Sequence, residues 1–150
     1  MNESAGDGCA LCARERPGYQ PLGGWVYRDA WWSVAVIGQV EVPGWFIVQS
    51  RTHVEALWEV DPAGTDSLGP LLAATSQALH SLLGVKRVYL NAFGERIQHW
   101  HMLVAAVPAT VEPELRGPAL LIDHRHLEDV DGAARVAGEV RDRLATHGSD

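Results

Sequence analysis

The sequence predicts an α+β fold, in which an antiparallel β-sheet packs against one long helix, a short helix and a C-terminal helix. Short runs of β-branched and aromatic residues, bounded by glycine, proline and aspartate, recur along the chain and are typical of strands. One leucine-rich stretch, residues 67–83, carries its apolar residues at helical spacing. Strands that cluster around a single long helix favour an antiparallel sheet.

The sequence predicts a single domain with five strands. Residues 1–8 are expected to be a flexible tail, and residues 9–150 a single domain. Residues 9–24 are rich in proline and paired glycines and predict a knuckle followed by a loop. The predicted strands are 25–27, 32–37, 45–49, 87–93 and 99–107.

The short helix is predicted immediately after the third strand. Thr52 can accept a hydrogen bond from the amide three residues on while Glu55 reaches back, which is the capping-box pattern. This pattern places His53 in the first turn of the helix. Residues 61–64 then predict a turn.

The long helix and the C-terminal helix have clearer boundaries. Helix 67–83 is expected to stop at Gly84, since glycine readily adopts the left-handed conformation that ends a helix. Residues 108–118 predict a loop. Asp131 is expected to cap a last helix that runs to Ala145.

Composition and net charge argue against several classes of protein. The chain has 150 residues, of which 47% are hydrophobic and 21% charged, as in globular proteins. Its net charge of -7 argues against binding along a nucleic-acid backbone. Because it has no run of 18 apolar residues and its first residues lack the basic and apolar regions of a signal peptide, we expect a cytoplasmic protein that does not span a membrane.

Two histidines alternate with apolar residues near the end of the predicted sheet. On a strand, His99 and His101 would share one face, about 7 Å apart, with Trp100 and Met102 on the other. Imidazole suits metal ligation, proton transfer and nucleophilic attack near neutral pH. A half-exposed polar strand face would give the same pattern. A second pair, in Asp123-His124-Arg125-His126, has charged flanks and predicts a solvated loop.

The chain contains a set of residues suited to zinc. Cys9 and Cys12 form a C-x-x-C pair, and with His53 and His99 they supply two thiols and two imidazoles, the donors of a tetrahedral site. Four protein ligands fill the coordination sphere, so such a zinc would be structural. The alternative is two buried thiols and two surface histidines. A redox role is disfavoured because a loop, and not a βαβ unit, follows the pair.

The chain resembles the histidine triad (HIT) family over residues 9–108. His101 falls on the middle histidine of the family motif H-φ-H-φ-H-φ-φ. The matching segments are Gly94-Glu95-Arg96-Ile97-Gln98 before His99, Pro43-Gly44-Trp45-Phe46-Ile47-Val48-Gln49-Ser50-Arg51-Thr52-His53-Val54-Glu55, and Arg87-Val88-Tyr89-Leu90-Asn91. Some branches of the family bind zinc through a C-x-x-C, a distant histidine and the first histidine of the motif, which are here Cys9, Cys12, His53 and His99.

The chain departs from the family at three places. The third triad position is Leu103, and Glu95-Arg96 replaces the usual Gln-Ser. Counting back from Pro43-Gly44, the acidic residue that often holds a ribose falls at Val36, which predicts weakened nucleoside recognition.

The resemblance implies a hydrolase or nucleotidyl transferase that acts on a phosphoester or phosphoanhydride. His101 would be the catalytic residue, attacking phosphorus to form a covalent histidine intermediate. Asn91, Arg96 and Gln98 are the nearest candidates by motif position for binding the phosphate. The expected partners are a phosphate-containing small molecule and a second copy of the chain, since the family is commonly dimeric.

Two other functions fit the same residues. Leu103 and Val36 fit a zinc-stabilised binding module of the same fold that has no triad chemistry. The other alternative is an enzyme of another reaction class that uses the zinc or a tryptophan-lined pocket to act on an apolar substrate.

Overall fold

The computed structural model describes residues 8–147, so all but the last residue of the predicted tail 1–8 lies outside the described residues. This part of the chain forms one sheet in which every pair of neighbouring strands is antiparallel, in the order β1-β2-β3-β5-β4. The strands are β1 (Tyr27–Arg28), β2 (Trp32–Val36), β3 (Trp45–Ser50), β4 (Arg87–Asn91) and β5 (His101–Val107). The predicted α+β class is confirmed.

Residues 8–147 also contain four α-helices and three 3-10 turns. The α-helices are α1 (Ala10–Arg14), α2 (Pro62–Leu83), α3 (Pro118–Ile122) and α4 (Val130–His147). The 3-10 turns are Leu57–Glu59, Pro113–Leu115 and Arg125–Leu127. None of these helices combines the length and the apolar character needed to cross a bilayer.

The two faces of the sheet are covered by different parts of the chain. On the first, here called the helix face, residues such as Phe46, Val48 and Val104 pack against α2 and α4. The opposite one, the histidine face, carries the alternate positions of the same strands, including His101. Helix α1 covers one end of it, and residues 108–127 cover the other through Val111 and Leu120.

Val36 lies on the helix face, where it is 2% exposed and packs in the core. Because side chains alternate between the faces of a strand, Val36 points away from His101. The position at which the motif count places the ribose-binding acid therefore faces the helices and not the histidine face.

The capping box around His53 does not start a helix. Residues 51–56 are irregular, and the Glu59 carboxylate accepts hydrogen bonds from the backbone N–H groups of Glu55 and Ala56, both at 2.9 Å. These bonds stabilise a 3-10 turn at Leu57–Glu59, downstream of the predicted helix. The Glu59 carboxylate thus binds the backbone N–H groups that a helix starting at Thr52 would have used in its first turn.

The long helix begins five residues earlier than predicted. Asp61 accepts a hydrogen bond from the N–H of Ala63 at 2.8 Å and Pro62 occupies the first turn, so residues 61–64 form a helix N-terminus and not a free turn. The predicted stop is confirmed: Gly84 has a φ of 66° and its N–H donates to His80 O.

Smaller differences concern the loops and the last helix. The knuckle 9–24 contains α1, and the predicted loop 108–118 contains a 3-10 turn. The last helix starts at Val130, with Asp129 accepting from the N–H of Gly132. The predicted solvated loop around His124 is wrong for that residue, whose ring packs against Trp45 at 5.6 Å between centroids.

The fifth strand begins at His101, two residues later than predicted, and the fourth ends at Asn91 instead of residue 93. The N–H of Ser50 donates to Trp100 O at 3.1 Å, but the N–H of Trp100 donates to Val54 O at 2.7 Å. Residues 51–53 are looped out between these two bonds. Because of this irregular pairing, the regular ladder between β3 and β5 begins at His101 and does not include His99.

Candidate metal centre and histidine site

Cys9, Cys12, His53 and His99 form one cluster, and their ligand atoms all lie within 4.8 Å of one another. Cys12 Sγ is 3.2 Å from His53 Nδ1 and 3.4 Å from His99 Nδ1. Cys9 Sγ is also 3.4 Å from His99 Nδ1. Residues that are 41 to 90 positions apart in the chain are therefore brought to one point, as the sequence predicts.

Helix α1 fixes the relative positions of the two cysteines. Cys9 is its N-cap residue, and its Sγ accepts a hydrogen bond from the N–H of Cys12 at 3.5 Å. Cys12 lies one helical turn further on, so both thiols point to the same side. Leu11, between them, is 3% exposed and anchors the helix to the protein.

The looped-out residues 51–53 bring His53 to the cysteines. The His53 and His99 rings meet edge to face, with centroids 5.2 Å apart. His99 lies just before the regular ladder, which starts at His101. Trp100 and Met102 both pack against the core on the helix face, as the predicted alternation of the two histidines with these residues requires.

A backbone carbonyl fixes the orientation and tautomer of His99. Its Nε2 lies 2.6 Å from Ser50 O, and since a carbonyl oxygen only accepts, Nε2 must donate its proton. The unprotonated nitrogen of the neutral ring is then Nδ1, the atom that faces both thiols. Histidine ligands of metals usually have their second nitrogen held in this way.

His99 is already in the protonation state that binds a metal, whereas the Cys12 thiol must first lose its proton. Burial lowers the pKa of His99, so the ring is neutral at neutral pH and able to ligate. Burial, followed by the neighbouring Cys9, raises the pKa of the Cys12 thiol to about 11. Because thiolates and not thiols bind metals, a metal would displace a proton from Cys12.

The donor set points to zinc. Zinc–sulfur bonds of about 2.3 Å and zinc–nitrogen bonds of about 2.0 Å imply sulfur–nitrogen separations of about 3.5 Å in a tetrahedral site. The three sulfur–nitrogen distances of 3.2 to 3.4 Å are close to this value. Two thiols and two imidazoles also favour zinc over the hard cations magnesium and calcium, which prefer oxygen ligands.

His101 lies at the start of β5, separate from the metal cluster. Its Nδ1 is 2.7 Å from His99 O, so by the same argument Nδ1 donates and Nε2 carries the free lone pair of the neutral ring. The His101 side chain is half-buried and lines a cavity of about 440 Å³ together with Phe93, Glu95 and Arg96.

The predicted phosphate-binding residues occupy three different surroundings. Arg96 lines the His101 cavity and also a second cavity, of about 410 Å³, beside Cys9 and His53. Gln98 lines only the second of these two. Asn91 is the ladder partner of Leu103 on the histidine face, and its Nδ2 is buried without a hydrogen-bond partner among the described residues.

Leu103 lies between Ile47 and Asn91 in the ladder, on the same face as His101. The position of the third triad histidine is therefore flanked by one apolar residue and one amide. The Leu103 side chain itself offers no proton donor where the family motif has its third histidine.

Sequence reasoning missed the residues that support the cluster. Ser50 O holds His99, and the carboxylate of Glu15 accepts hydrogen bonds from three side chains around α1. Ser50 acts through its backbone, which no sequence pattern reveals. The sequence offered one indication for Glu15: a charged residue directly after the C-x-x-C helix is well placed to hold that helix in position.

Comparisons with known proteins give a consistent result for the fold. No protein-family model and no curated protein matches the chain. A zinc-bound histidine triad family protein from Mycobacterium smegmatis matches with a TM-score of 0.68 and 16% identity, over 93% of this chain and 97% of that chain. A hypothetical histidine triad nucleotide-binding protein from Sulfolobus tokodaii matches with a TM-score of 0.64 and 17% identity, over 92% and 91%.

An enzyme is also among the matches. Plasmodium falciparum diadenosine triphosphate hydrolase has a TM-score of 0.61 and 8% identity, over 83% of this chain and 78% of that chain.

The chain has the histidine triad fold, which confirms the predicted architecture. Within that fold it combines a cluster of two cysteines and two histidines with leucine at the third triad position.

Proposed function

We propose that this protein is a HIT-like hydrolase or nucleotidyl transferase that acts on a phosphoester or phosphoanhydride through a covalent intermediate on His101. The observation that supports this most directly is the 2.7 Å hydrogen bond between His101 Nδ1 and His99 O. It leaves the Nε2 lone pair free in a side chain that lines a cavity. A nucleophilic histidine needs this tautomer.

The proposed reaction has two steps. In the first, the Nε2 lone pair attacks phosphorus, a phosphorus–nitrogen bond forms, and the leaving group departs with the electrons of its bond to phosphorus and takes up a proton. In the second, water or another acceptor attacks phosphorus, gives up its proton, and the phosphorus–nitrogen bond breaks to restore the neutral imidazole. No oxidant or reductant is required.

Two side chains are suited to the phosphate. Arg96 lines the His101 cavity and would provide the positive charge that stabilises the developing negative charge on phosphorus. Asn91 Nδ2 is a buried donor without a partner in residues 8–147, on the same sheet face as His101. An unsatisfied buried donor costs about 1–3 kcal/mol, but Asn91 does not line the His101 cavity, so a phosphate oxygen would reach it only after neighbouring side chains move.

The zinc is proposed to be structural. Cys9, Cys12, His53 and His99 would hold it with four protein ligands, which leaves no open position to activate water. Bound zinc would fix His99, whose carbonyl in turn orients His101. The metal would therefore contribute to catalysis only through the position of the neighbouring backbone.

The matched proteins are consistent with a phosphate-containing ligand. One is described as a nucleotide-binding protein and another as a diadenosine triphosphate hydrolase. We extend this only to the chemical class of the substrate, a phosphate compound with a leaving group attached through oxygen or nitrogen.

The test of the function is to trap the intermediate. The purified protein is mixed with a panel of nucleoside phosphates, dinucleoside polyphosphates and phosphoramidates and quenched within one turnover, and intact mass is measured. The expected result is a mass increase that is stable in base, labile in acid, and maps to His101. Turnover of a panel member without any such adduct under rapid quench would overturn the covalent mechanism.

Arg96→Met is expected to raise KM for the phosphate substrate about tenfold or more, because it removes a charge-assisted contact of about 1.5–3 kcal/mol. Steady-state kinetics on the wild type and the variant measure this change. Gln98→Ala is the matched control, expected to stay within about twofold, since Gln98 lines the other cavity. Equal effects of both variants would argue against a phosphate role for Arg96.

A second function is favoured by Leu103. With Ile47 beside it, the third triad position lacks an imidazole and is partly apolar. This fits a zinc-stabilised binding module without triad chemistry, or an enzyme of another reaction class with an apolar substrate. Saturable binding of a panel compound that is returned chemically unchanged would favour the binding module.

We also propose that the chain forms a homodimer through β4. This strand is at the edge of the sheet, where Leu90 is 45% and Phe93 74% exposed, and free sheet edges tend to pair. Light scattering is expected to give twice the chain mass, and Leu90→Lys to shift it toward the monomer. Ile122→Lys, at another exposed apolar residue on α3, is the control that should leave the mass unchanged.

A further inference from the structure

The carboxylate of Glu15, directly after helix α1, is the centre of a network of three side chains. Its Oε1 accepts a hydrogen bond from Gln49 Nε2 at 2.8 Å. Its Oε2 accepts from Arg28 at 2.7 Å and from Arg51 at 3.3 Å. The Glu15 side chain is 12% exposed and its bond to Gln49 is partly buried, whereas the two arginine partners reach it from the surface.

Two of the three partners of Glu15 belong to segments that support the metal cluster. Gln49 is fully buried on β3, next to Ser50, whose carbonyl holds His99. The same Gln49 Nε2 donates to Leu11 O within α1 at 3.0 Å. Arg51 is two positions before His53, and the third partner, Arg28, belongs to β1 at the edge of the sheet. One carboxylate therefore joins the C-terminal end of the cysteine helix to β1, to the strand whose carbonyl holds His99, and to the loop that carries His53.

We propose that Glu15 is a positioning residue for the metal centre, which holds the cysteine helix against the sheet so that the four ligand atoms are assembled before the metal binds. This proposal rests on the proposed zinc site and names a residue outside its ligand set.

The reason lies in the length of α1. A helix of five residues is far too short to be stable by itself, so its position depends on tertiary contacts. Those contacts are Leu11 in the core, Arg14 at the carbonyl of Val36, and the network around Glu15. Without the network, metal binding must itself order the helix, and part of the binding free energy is lost to that ordering.

Simple electrostatics makes a competing prediction. A negative charge near a cation favours binding through space, so loss of Glu15 alone would not distinguish the two explanations. Substitution of Arg28 distinguishes the electrostatic explanation from the positioning explanation. Removing this positive charge should strengthen zinc binding if only charge matters, and weaken it if the network positions the helix. Methionine at this position keeps an apolar stem but removes the guanidinium, which also lies 4.6 Å from the Trp25 ring and donates to Ser33 Oγ.

The experiment measures zinc affinity by chelator competition in the wild type, Glu15→Ala, Glu15→Gln and Arg28→Met. The absorption of the cobalt-substituted proteins and the thermal unfolding of the metal-free proteins are recorded alongside. Glu139→Ala and Arg135→Met are matched controls: they remove the same charges from an exposed pair on α4, on the helix face. Substitution of a residue that holds a metal ligand in place typically reduces metal affinity roughly 10-fold to 100-fold, which sets the expected size of the effect.

We expect Glu15→Ala to weaken zinc binding within that range, Glu15→Gln less, and Arg28→Met about tenfold, with altered cobalt spectra and unchanged controls. If Glu15→Ala does not fold, Arg28→Met and Glu15→Gln decide the outcome. Unchanged affinity, tighter binding in Arg28→Met, or a loss of metal-free stability without a loss of affinity would each overturn the proposal. A wild type that binds no zinc would instead overturn the metal site itself.

Discussion

Replacing His101 with alanine is expected to lower turnover of the phosphate substrate by about a thousandfold or more, the scale on which covalent nucleophiles contribute. The reason is that no second imidazole is free to replace it, since Leu103 occupies the third triad position and His99 belongs to the metal cluster. The zinc content and the melting temperature should stay unchanged, because the half-buried His101 is hydrogen-bonded to His99 through its backbone O and not through a ligand atom. Kinetics, elemental analysis and thermal unfolding on the same preparation measure all three.

His99→Ala is the matched variant for this test. It removes a fully buried ligand atom and the bond to Ser50 O, so it should lose zinc and stability together with activity. The two variants therefore separate a nucleophile from a ligand. Full turnover by the His101→Ala protein would exclude histidine nucleophilic catalysis and favour another reaction class.

Removing the metal is expected to destabilise the protein strongly. If free zinc is about 1,000 times its Kd, binding contributes about 4 kcal/mol to the free energy of unfolding, which corresponds to a fall in Tm of about 10 °C for a chain of this size. A chelator should produce this fall in the wild type. Cys9→Ser should start at the lower Tm, because it removes one of four ligands.

The control is internal to the same experiment, since the chelator should change the Tm of the wild type but have little effect on Cys9→Ser. Elemental analysis of protein purified without chelator should give one zinc per chain. Much less than one zinc, or a chelator effect of equal size in both proteins, would contradict a structural zinc at this cluster.

The sequence alone predicted the features that depend on residue type and short-range pattern. The fold class followed from the spacing of apolar residues, and the stop at Gly84 from the freedom of glycine to adopt a positive φ. The metal-ligand set followed from donor chemistry and from the resemblance to zinc-binding branches of the histidine triad family, because a C-x-x-C pair and two histidines supply the donors of a tetrahedral site. These properties depend on residue type and motif, so they can be predicted without coordinates.

The tertiary structure decided the features that depend on distant partners. His53 lies in a looped-out segment because Trp100 pairs with Ser50 and Val54, a choice that a local capping pattern does not predict. Val36 faces the helices instead of His101 because the register of β2 with β3 fixes its side of the sheet.

The support of the metal cluster is likewise a tertiary property. The bonds to Glu15 join residues 13, 34 and 36 positions apart, and His99 is held by a carbonyl 49 positions away. Hydrogen bonds of this range form only when packing has already brought the segments together, and they leave no periodic signal in the chain. The sequence therefore determined which groups are available for chemistry, and packing determined which of them meet and which nitrogen of each ring is free.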